Sequence, residues 1–172
     1  MTNKRPFGVM DTRSGGYIDL TNPDVDEVSI DDIAHNLSHI CRWGGKPEDY
    51  FSVAEHCIMT AERGVPKHKR LGLLMHDCEE ALLGDNITPL KEIIPQLVVL
   101  GDRIRDLLLI KFNVPYDPKL VLVVDAEQLE WERENIIKNR LYIGLAPKTA
   151  KQLFLDKFYE YSQDVKKYNA SK

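Results

Sequence analysis

Residues 71–85 read LGLLMHDCEEALLGD, and this stretch decides the predicted fold class. Its apolar residues recur every three or four positions, which is the spacing of one helix face, and they are Leu71, Leu74, Met75, Cys78 and Leu82. We therefore predict a helix that stops near Gly84. Residues three and four apart share a helix face, so His76, Asp77 and Glu80 are expected to lie side by side within one turn.

A His-Asp pair on a helix is usually a solvated surface pair. Here the preceding run Leu71–Met75 is too apolar for a solvated face, so the pair is expected at the edge of a core. A buried polar group without a partner costs about 1–3 kcal/mol. A divalent metal would be one such partner for His76 and Asp77, and Glu80 nearby would suit proton transfer.

Helical spacing continues through most of the chain after the first thirty residues. Ser29 with Asp32, and Ser52 with Glu55, resemble the N-cap patterns that open helices. In chain order we predict a helix from Ser29 that stops at Gly44-Gly45, one from Ser52 that ends before Gly64, the helix over 71–83, a loop at 86–89, long helices over 96–113 and 118–139, and a last helix from Pro147 to about Gln163.

The start of the chain has a different pattern. Residues 7–10 and 17–20 flank Arg13-Ser14-Gly15-Gly16, which predicts a short β-hairpin. The predicted fold class is therefore all-α, with a small N-terminal β-hairpin. We expect one domain over residues 1–172, divided into a hairpin and lead-in (1–28), a helical core (29–163) and a frayed tail (164–172).

Composition excludes several classes of protein. The chain has 172 residues, is 43% apolar and 29% charged, and carries a formal charge of −4, values typical of a globular domain. With no long basic run, a nucleic-acid polymer is not an expected partner. No leader pattern or long apolar run indicates a membrane, so we expect a cytoplasmic protein. The chain has an odd number of cysteines, Cys41, Cys57 and Cys78, and we expect them to be reduced thiols.

The other histidines differ in what surrounds them. His56 lies at the border of a predicted buried stripe. His35 and His39 could chelate one metal from a single helix face, but packing or capping roles explain them as well. His68 stands in the positive run Lys67–Arg70, which would repel a cation, so we expect it to be solvent-exposed.

Asp125 follows the apolar run 121–124. A buried ionised carboxylate needs a partner, so Asp125 could belong to a site. Alternatively, it could simply place negative charge near the start of its helix, which is common. The local sequence leaves both interpretations open.

The order His56, His76-Asp77, Asp125 resembles that of the HD-domain superfamily of metal-dependent phosphohydrolases. The resemblance covers roughly residues 28–135. It is closest to the small HD-domain nucleotidases, which include bacterial 5'-deoxynucleotidases and bacteriophage dATP triphosphohydrolases. The segments that carry it are Arg42–Gly45, Tyr50–His56, Met75–Ala81, Gly84–Lys91 and Val124-Asp125.

This resemblance implies an HD-domain helical bundle with a defined set of site residues. The implied metal ligands are His56, His76, Asp77 and Asp125. The implied catalytic residues are Glu80 as acid/base and Asp85 as the residue that orients or deprotonates the attacking water. The implied substrate contacts are Arg42 and Lys91 to phosphate, Trp43 to sugar and base, and Pro89. The implied cofactor is one divalent transition metal (Co, Mn, Zn or Fe), and additional Mg or Mn could accompany the substrate phosphates.

The expected activity is cleavage of the 5'-phosphate ester of a deoxynucleotide. The resemblance leans to a dATP triphosphohydrolase that yields deoxyadenosine plus phosphates, and the alternative is a 5'-deoxynucleotidase acting on monophosphates. Two other classes stay open: a non-catalytic nucleotide-binding HD protein, and a structural helical module. The apolar helix over 96–110 could pair with a second copy, so a homo-oligomer is expected.

Overall fold

A computed structural model describes residues 6–172, and residues 1–5 of the predicted lead-in lie outside the described residues. The chain opens with an antiparallel hairpin of β1 (Val9–Asp11) and β2 (Tyr17–Asp19), in which Met10 pairs with Ile18. This confirms the predicted hairpin. Ile18 is 1% exposed, so the hairpin turns one face onto the helical core.

After the hairpin, the main secondary-structure elements of the described chain are helices, which confirms the all-α class with a small β-hairpin. The helices are α1 (Ile30–His39), α2 (Val53–Ala61), α3 (Arg70–Leu74), α4 (Glu80–Leu83), α5 (Thr88–Ile93), α6 (Pro95–Lys111), α7 (Pro118–Glu132) and α8 (Pro147–Ala170). Short 3₁₀ turns at Arg42–Gly45 and Lys67–Lys69 and a π-helical segment at Arg133–Lys138 complete the chain. Across residues 6–172, no helix is both long and apolar enough to cross a membrane.

The core forms where α1, α2, α3 and α8 pack together. Fully buried side chains from each of these helices fill it, among them Leu37, Cys57, Leu74, Phe154 and Tyr161. Burial of such side chains contributes roughly 1.5–3 kcal/mol each, which fixes the helices that carry the site.

The two predicted helix starts are confirmed. The Ser29 hydroxyl accepts a hydrogen bond from the backbone N–H of Asp32, and the Asp32 carboxylate accepts one from the backbone of Ser29. Ser52 and Glu55 make the same reciprocal pair at α2. Each pair satisfies two backbone donors that a helix start leaves free.

The predicted end of the first helix at Gly44-Gly45 is wrong. Helix α1 ends at His39, because the chain then turns to form an isolated β-bridge between Cys41 and Ser52. The backbone of Arg42–Gly45 follows as a tight 3₁₀ turn.

The continuous helix predicted over 71–83 is also wrong. Helix α3 ends at Leu74, and residues 75–79 form turns before α4 starts at Glu80. In this stretch N–H groups bond three residues back, as from Glu80 to the Asp77 carbonyl at 3.1 Å. Such tighter turns change the direction of the side chains while the apolar spacing continues, so the periodicity does not reveal the break.

Three further differences concern the later part of the chain. The predicted loop at 86–89 is shorter, since α5 begins at Thr88. The predicted frayed tail is instead helical through Ala170. His68, expected to be exposed, is half-buried because its ring stacks on Tyr168 with centroids 3.7 Å apart, a contact that also holds the end of α8.

Candidate metal centre and adjoining pocket

Two imidazoles and two carboxylates meet at the centre of the fold. The His56 and His76 Nε2 atoms lie 3.2 Å apart, and the Asp77 Oδ2 atom lies 3.5 Å and 3.3 Å from them. The Asp125 Oδ1 atom lies 3.1 Å from His56 Nε2 and 3.6 Å from His76 Nε2. Ligands bound at about 2.1 Å with angles of 90–110° are separated by roughly 3.0–3.4 Å, so the spacings among His56, His76 and Asp77 suit one metal ion, and Asp125 lies at similar distances from the two imidazoles.

The hydrogen bonds on the far side of each ring aim both Nε2 atoms at this point. The Nδ1 of His76 donates to the Leu73 carbonyl at 2.7 Å, and the Nδ1 of His56 lies 2.6 Å from the Glu132 carboxylate. Because both Nδ1 atoms donate, each neutral imidazole would present a lone pair at Nε2. Two lone pairs 3.2 Å apart repel, so a proton or a cation must lie between them.

The two aspartates are suited to hold a cation. Burial alone would raise their pKa values, but the imidazoles of His56 and His76 outweigh it and hold the pKa of Asp77 and of Asp125 well below the usual range. The same carboxylates raise the pKa of His76 despite its burial. The Oδ1 of Asp125 is shielded from solvent and accepts no hydrogen bond. The cluster of His56, His76 and Asp77 could therefore hold a metal ion.

A cavity of about 650 Å³ opens beside the cluster and shares Asp77 and Asp125 with it. Cationic and apolar side chains form much of its wall. The cations are Arg42, Lys46, Lys91, Arg133 and Lys138. The large apolar residues are Trp43, Ile87, Pro89, Leu129 and Ile137. Pockets of a few hundred cubic ångströms or more that combine apolar walls with a few convergent charges are typical small-molecule sites.

Two of the predicted metal ligands, Asp77 and Asp125, line this cavity. All the predicted catalytic and substrate-binding residues line it as well, and these are Glu80, Asp85, Arg42, Trp43, Lys91 and Pro89. The other two predicted ligands, His56 and His76, lie beneath its floor and are almost completely buried.

Arg42 is buried against acids. Its Nη1 lies 3.5 Å from Asp77 Oδ2 and 3.9 Å from Asp85 Oδ1, and its Nη2 lies 3.7 Å from Glu132 Oε2. Although desolvation opposes the charge, Glu132 and the aspartates raise the pKa of Arg42. Its Nε atom has no hydrogen-bond partner, so this permanent cation retains donor capacity near the cluster.

Glu80 is 3% exposed and faces Lys91, whose Nζ lies 3.4 Å from its Oε1. Burial, and then the negative charges of Asp77 and Asp85, raise the pKa of Glu80 well above its ordinary value. Its Oε2 atom accepts no hydrogen bond. This environment favours the protonated form of Glu80 more than solvent exposure would.

A second, smaller cavity of about 160 Å³ lies on the other side of the Glu80–Lys91 pair. Glu79 and Arg105 line it, with 3.6 Å between Glu79 Oε1 and Arg105 Nη1. Burial and the charge of Asp77 raise the pKa of Glu79 to about 7. The sequence pattern does not predict a role for Glu79.

Trp43 adopts an unusual backbone conformation, with φ 58° in the left-handed region. Its indole Nε1 donates to Glu132 Oε2 at 2.8 Å, and the Arg133 guanidinium lies 5.9 Å from the ring centroid. Left-handed non-glycine residues are uncommon and cluster at functional sites. Backbone and anchor together hold the indole against the cavity.

Glu132 is a buried residue of this site that the sequence pattern did not predict. It is fully buried at the end of α7 and contacts both His56 and Trp43. One signal could have indicated it: Glu132 follows Asp125 by seven residues, which is two helix turns along the same face.

His35 and His39 lie outside the cluster. Their rings pack against each other with centroids 4.1 Å apart, and His39 Nδ1 lies 2.8 Å from the His35 carbonyl oxygen. A histidine in the last turn that donates to a backbone carbonyl is a C-terminal capping arrangement. The structure favours the capping interpretation of the pair.

Comparison with known proteins leaves the family of this chain open. No protein-family model matches it. It is 39% identical over 111 residues to an uncharacterized protein of Rhodobacter capsulatus, a match covering 59% of this chain and 57% of that protein. It is 28% identical over 169 residues to the uncharacterized protein YfdR of Escherichia coli K12, covering 88% of this chain and 94% of YfdR. The chain thus spans just over half the length of the first relative and nearly all of the second.

Proposed function

We propose that this chain is a small HD-domain, metal-dependent phosphohydrolase that cleaves the 5'-phosphate ester of deoxynucleotides. The observation that supports it best is the position of the His-His-Asp cluster, which adjoins a nucleotide-sized cavity whose wall carries five cations and the buried carboxyl group of Glu80. Each of these parts has a role in phosphate-ester hydrolysis.

The proposed metal site consists of His56, His76, Asp77 and Asp125. Two nitrogen and two oxygen ligands suit Co, Mn, Zn or Fe, and they leave coordination positions open. A bound cation would supply positive charge that polarises a phosphoryl oxygen. Additional Mg or Mn carried by the substrate phosphates belongs to the same proposal.

The chain's own residues would perform the remaining steps. Arg42 and Lys91 would bind the non-bridging phosphoryl oxygens and offset their negative charge. Asp85 would orient the water that attacks phosphorus and would accept the proton that this water loses. Glu80, whose burial favours the protonated carboxyl group, would donate its proton to the 5'-oxygen of the sugar as the ester bond breaks.

We favour dATP as the substrate, with deoxyadenosine and phosphates as products. Besides Arg42 and Lys91, the cavity wall carries Lys46, Arg133 and Lys138, so its positive charge exceeds what a single phosphate needs. The alternative is a deoxynucleoside monophosphate. It is favoured by the carboxylates at this end of the cavity, Asp77, Asp85 and Asp125, which would repel an extended anion there.

The first experiment measures phosphate and nucleoside release from dATP, dAMP, dGTP and AMP, with Co²⁺, Mn²⁺ or Zn²⁺ added after chelation. The expected result is hydrolysis of dATP to deoxyadenosine without hydrolysis of dGTP. Activity confined to monophosphates would establish the alternative.

The Asp77→Asn variant should lose metal binding and activity together, whereas Asp49→Asn, an exposed control, should keep both. Release from none of the nucleotides with any metal would overturn the proposal and leave a binding or structural module.

The same proposal includes a homo-oligomer. Large apolar side chains of α6 and α7 are exposed, among them Val99 at 70% and Leu122 at 73%. Surfaces of this kind often mark protein–protein contacts. Sedimentation of the purified chain at several concentrations tests this, and a monomer throughout would contradict it.

A further inference from the structure

The Glu132 carboxylate divides its contacts between the two halves of the site. Oε1 lies 2.6 Å from His56 Nδ1 and accepts from Gln128 Nε2 at 3.0 Å. Oε2 accepts from Trp43 Nε1 at 2.8 Å and lies 3.7 Å from Arg42 Nη2. One oxygen thus faces His56 of the candidate metal site, and the other faces two residues that line the adjoining cavity.

We propose that Glu132 is a positioning residue that sets the geometry of both halves at once. Oε1 orients a metal ligand and Oε2 orients the aromatic wall of the substrate cavity. The inference rests on the proposed function, because it assigns a nucleotide to the cavity. The metal half, however, can be tested without any turnover.

The contact to His56 determines what that ring can bind. A hydrogen bond from Nδ1–H to a carboxylate fixes the imidazole tautomer and the ring plane, and it leaves Nε2 as the metal-binding atom. His56 is completely buried, and Glu132 is the carboxylate at its Nδ1, so this contact orients the ring from the side opposite Nε2. Removing such a partner typically weakens metal binding about 10–100-fold.

The contact to Trp43 determines where the cavity wall stands. The backbone of Trp43 is left-handed, and its indole nitrogen has Glu132 as its hydrogen-bond acceptor. Without that acceptor, the indole N–H of this half-buried residue would lose the carboxylate it bonds, and the ring would be free to turn away from the cavity. The expected consequence is weaker nucleotide binding.

The carboxylate cannot be replaced by its amide. Every group within reach of Glu132 that forms or could form a polar contact is a donor: His56, Gln128, Trp43 and Arg42. A glutamine side chain offers one oxygen and one NH₂ group. In either orientation its NH₂ group would face donors, so at least one half of the site must lose its acceptor.

The test compares Glu132→Gln with Glu127→Gln, which changes an exposed glutamate of the same helix. Zn²⁺ affinity is measured by competition with a chelator, and KM and kcat for the nucleotide are measured at saturating metal. For Glu132→Gln we expect metal affinity reduced 10–100-fold, or KM raised severalfold, or both. Glu127→Gln should match the wild type. Wild-type metal affinity and KM in a folded Glu132→Gln protein would overturn the inference.

Two further variants separate the halves and serve if Glu132→Gln does not fold. Trp43→Phe removes a donor to Oε2, and it should raise KM without changing Zn²⁺ affinity. Gln128→Met removes a donor to Oε1, and it should change Zn²⁺ affinity without raising KM. If both variants changed only KM, or both changed only Zn²⁺ affinity, the separate roles of Oε1 and Oε2 would be overturned. If the wild type hydrolysed no nucleotide, the proposed function would fail, while the Zn²⁺ affinities would still decide the metal half.

Discussion

At the scale of the single residue, Glu80 combines burial with an unpartnered oxygen next to the cluster. If it donates a proton to the leaving sugar oxygen, Glu80→Gln should lower kcat by about 10²–10⁴-fold. Metal affinity should stay unchanged, because Glu80 is not among the residues of the cluster. Steady-state kinetics and chelator competition measure the two effects.

The pH profile gives a second readout for Glu80. A proton donor works only below its pKa, and burial and neighbouring acids raise the pKa of Glu80. The wild-type kcat should therefore fall as pH rises through that value, and the residual kcat of Glu80→Gln should lack this decline. Glu92→Gln, an exposed change, is the control. The same alkaline decline in the Gln variant would assign the proton to another group.

At the scale of the element, Asp32 joins the hairpin to α1. Its carboxylate accepts hydrogen bonds from the backbone and the hydroxyl of Ser14, both at 2.8 Å, and from those of Ser29. In Asp32→Asn, an NH₂ group replaces one of the two carboxylate oxygens, so a donor of Ser14 or Ser29 loses its acceptor. The substitution should therefore reduce the free energy of unfolding by about 1–3 kcal/mol. Asp31→Asn, which removes surface ion pairs to Arg13 and Lys151, should cost about 0–1 kcal/mol.

Acid should remove the difference between the wild type and Asp32→Asn. Burial alone would raise the pKa of Asp32, but the hydrogen bonds from Ser29 and Ser14 lower it below the ordinary value of an aspartate. A lowered folded-state pKa contributes stability above the unfolded pKa, and this contribution is lost as pH falls through the folded value. Urea unfolding at pH 7 and pH 3 should show the gap narrowing at pH 3. An equal gap at both pH values would contradict this account.

Two glycines inside helices should respond oppositely to alanine. A Cβ at Gly101 in α6 would lie 3.6 Å from the Glu79 side chain, an ordinary contact, whereas a Cβ at Gly72 in α3 would lie 2.5 Å from the Pro115 carbonyl. Gly101→Ala should therefore raise the free energy of unfolding by about 0.5–1 kcal/mol through helix propensity. Gly72→Ala should lower it, because backbone must move. Thermal unfolding of both variants checks the signs.

At the scale of the whole molecule, the proposed metal would join distant parts of the chain. His56 lies on α2, His76 and Asp77 lie in the turns before α4, and Asp125 lies on α7. Metal at 100 times its Kd would add about 2.7 kcal/mol to the stability of the folded state. For a chain of this size, chelation should lower Tm by roughly 5–10 °C. The Asp77→Asn variant should show no metal-dependent Tm, and an equal shift in that variant would place the metal elsewhere.

The local features of this fold were predictable from the sequence. Capping boxes and turn residues act within four or five positions, so the starts of α1 and α2 and the hairpin followed from the residues alone. The break at 75–79 did not, because its turns preserve the apolar spacing of a helix.

The candidate site was predictable only in part. The resemblance named the residues that meet in the cluster, although His56 and Asp125 are 69 positions apart. Glu132 was missed because it is one of several acids on a charged helix, and only the fold brings it 2.6 Å from a ring 76 positions earlier. The order of residues along the chain does not report such a contact.

The left-handed backbone at Trp43 implies a trade-off between stability and activity. A non-glycine residue in that region costs about 1–3 kcal/mol, and here the cost falls on the residue that forms the cavity wall. A library selected only for heat resistance should therefore accumulate asparagine or glycine at position 43. A library selected for turnover should retain the tryptophan. Opposite enrichment at this codon in the two libraries would show that the strained backbone is kept because activity requires the tryptophan.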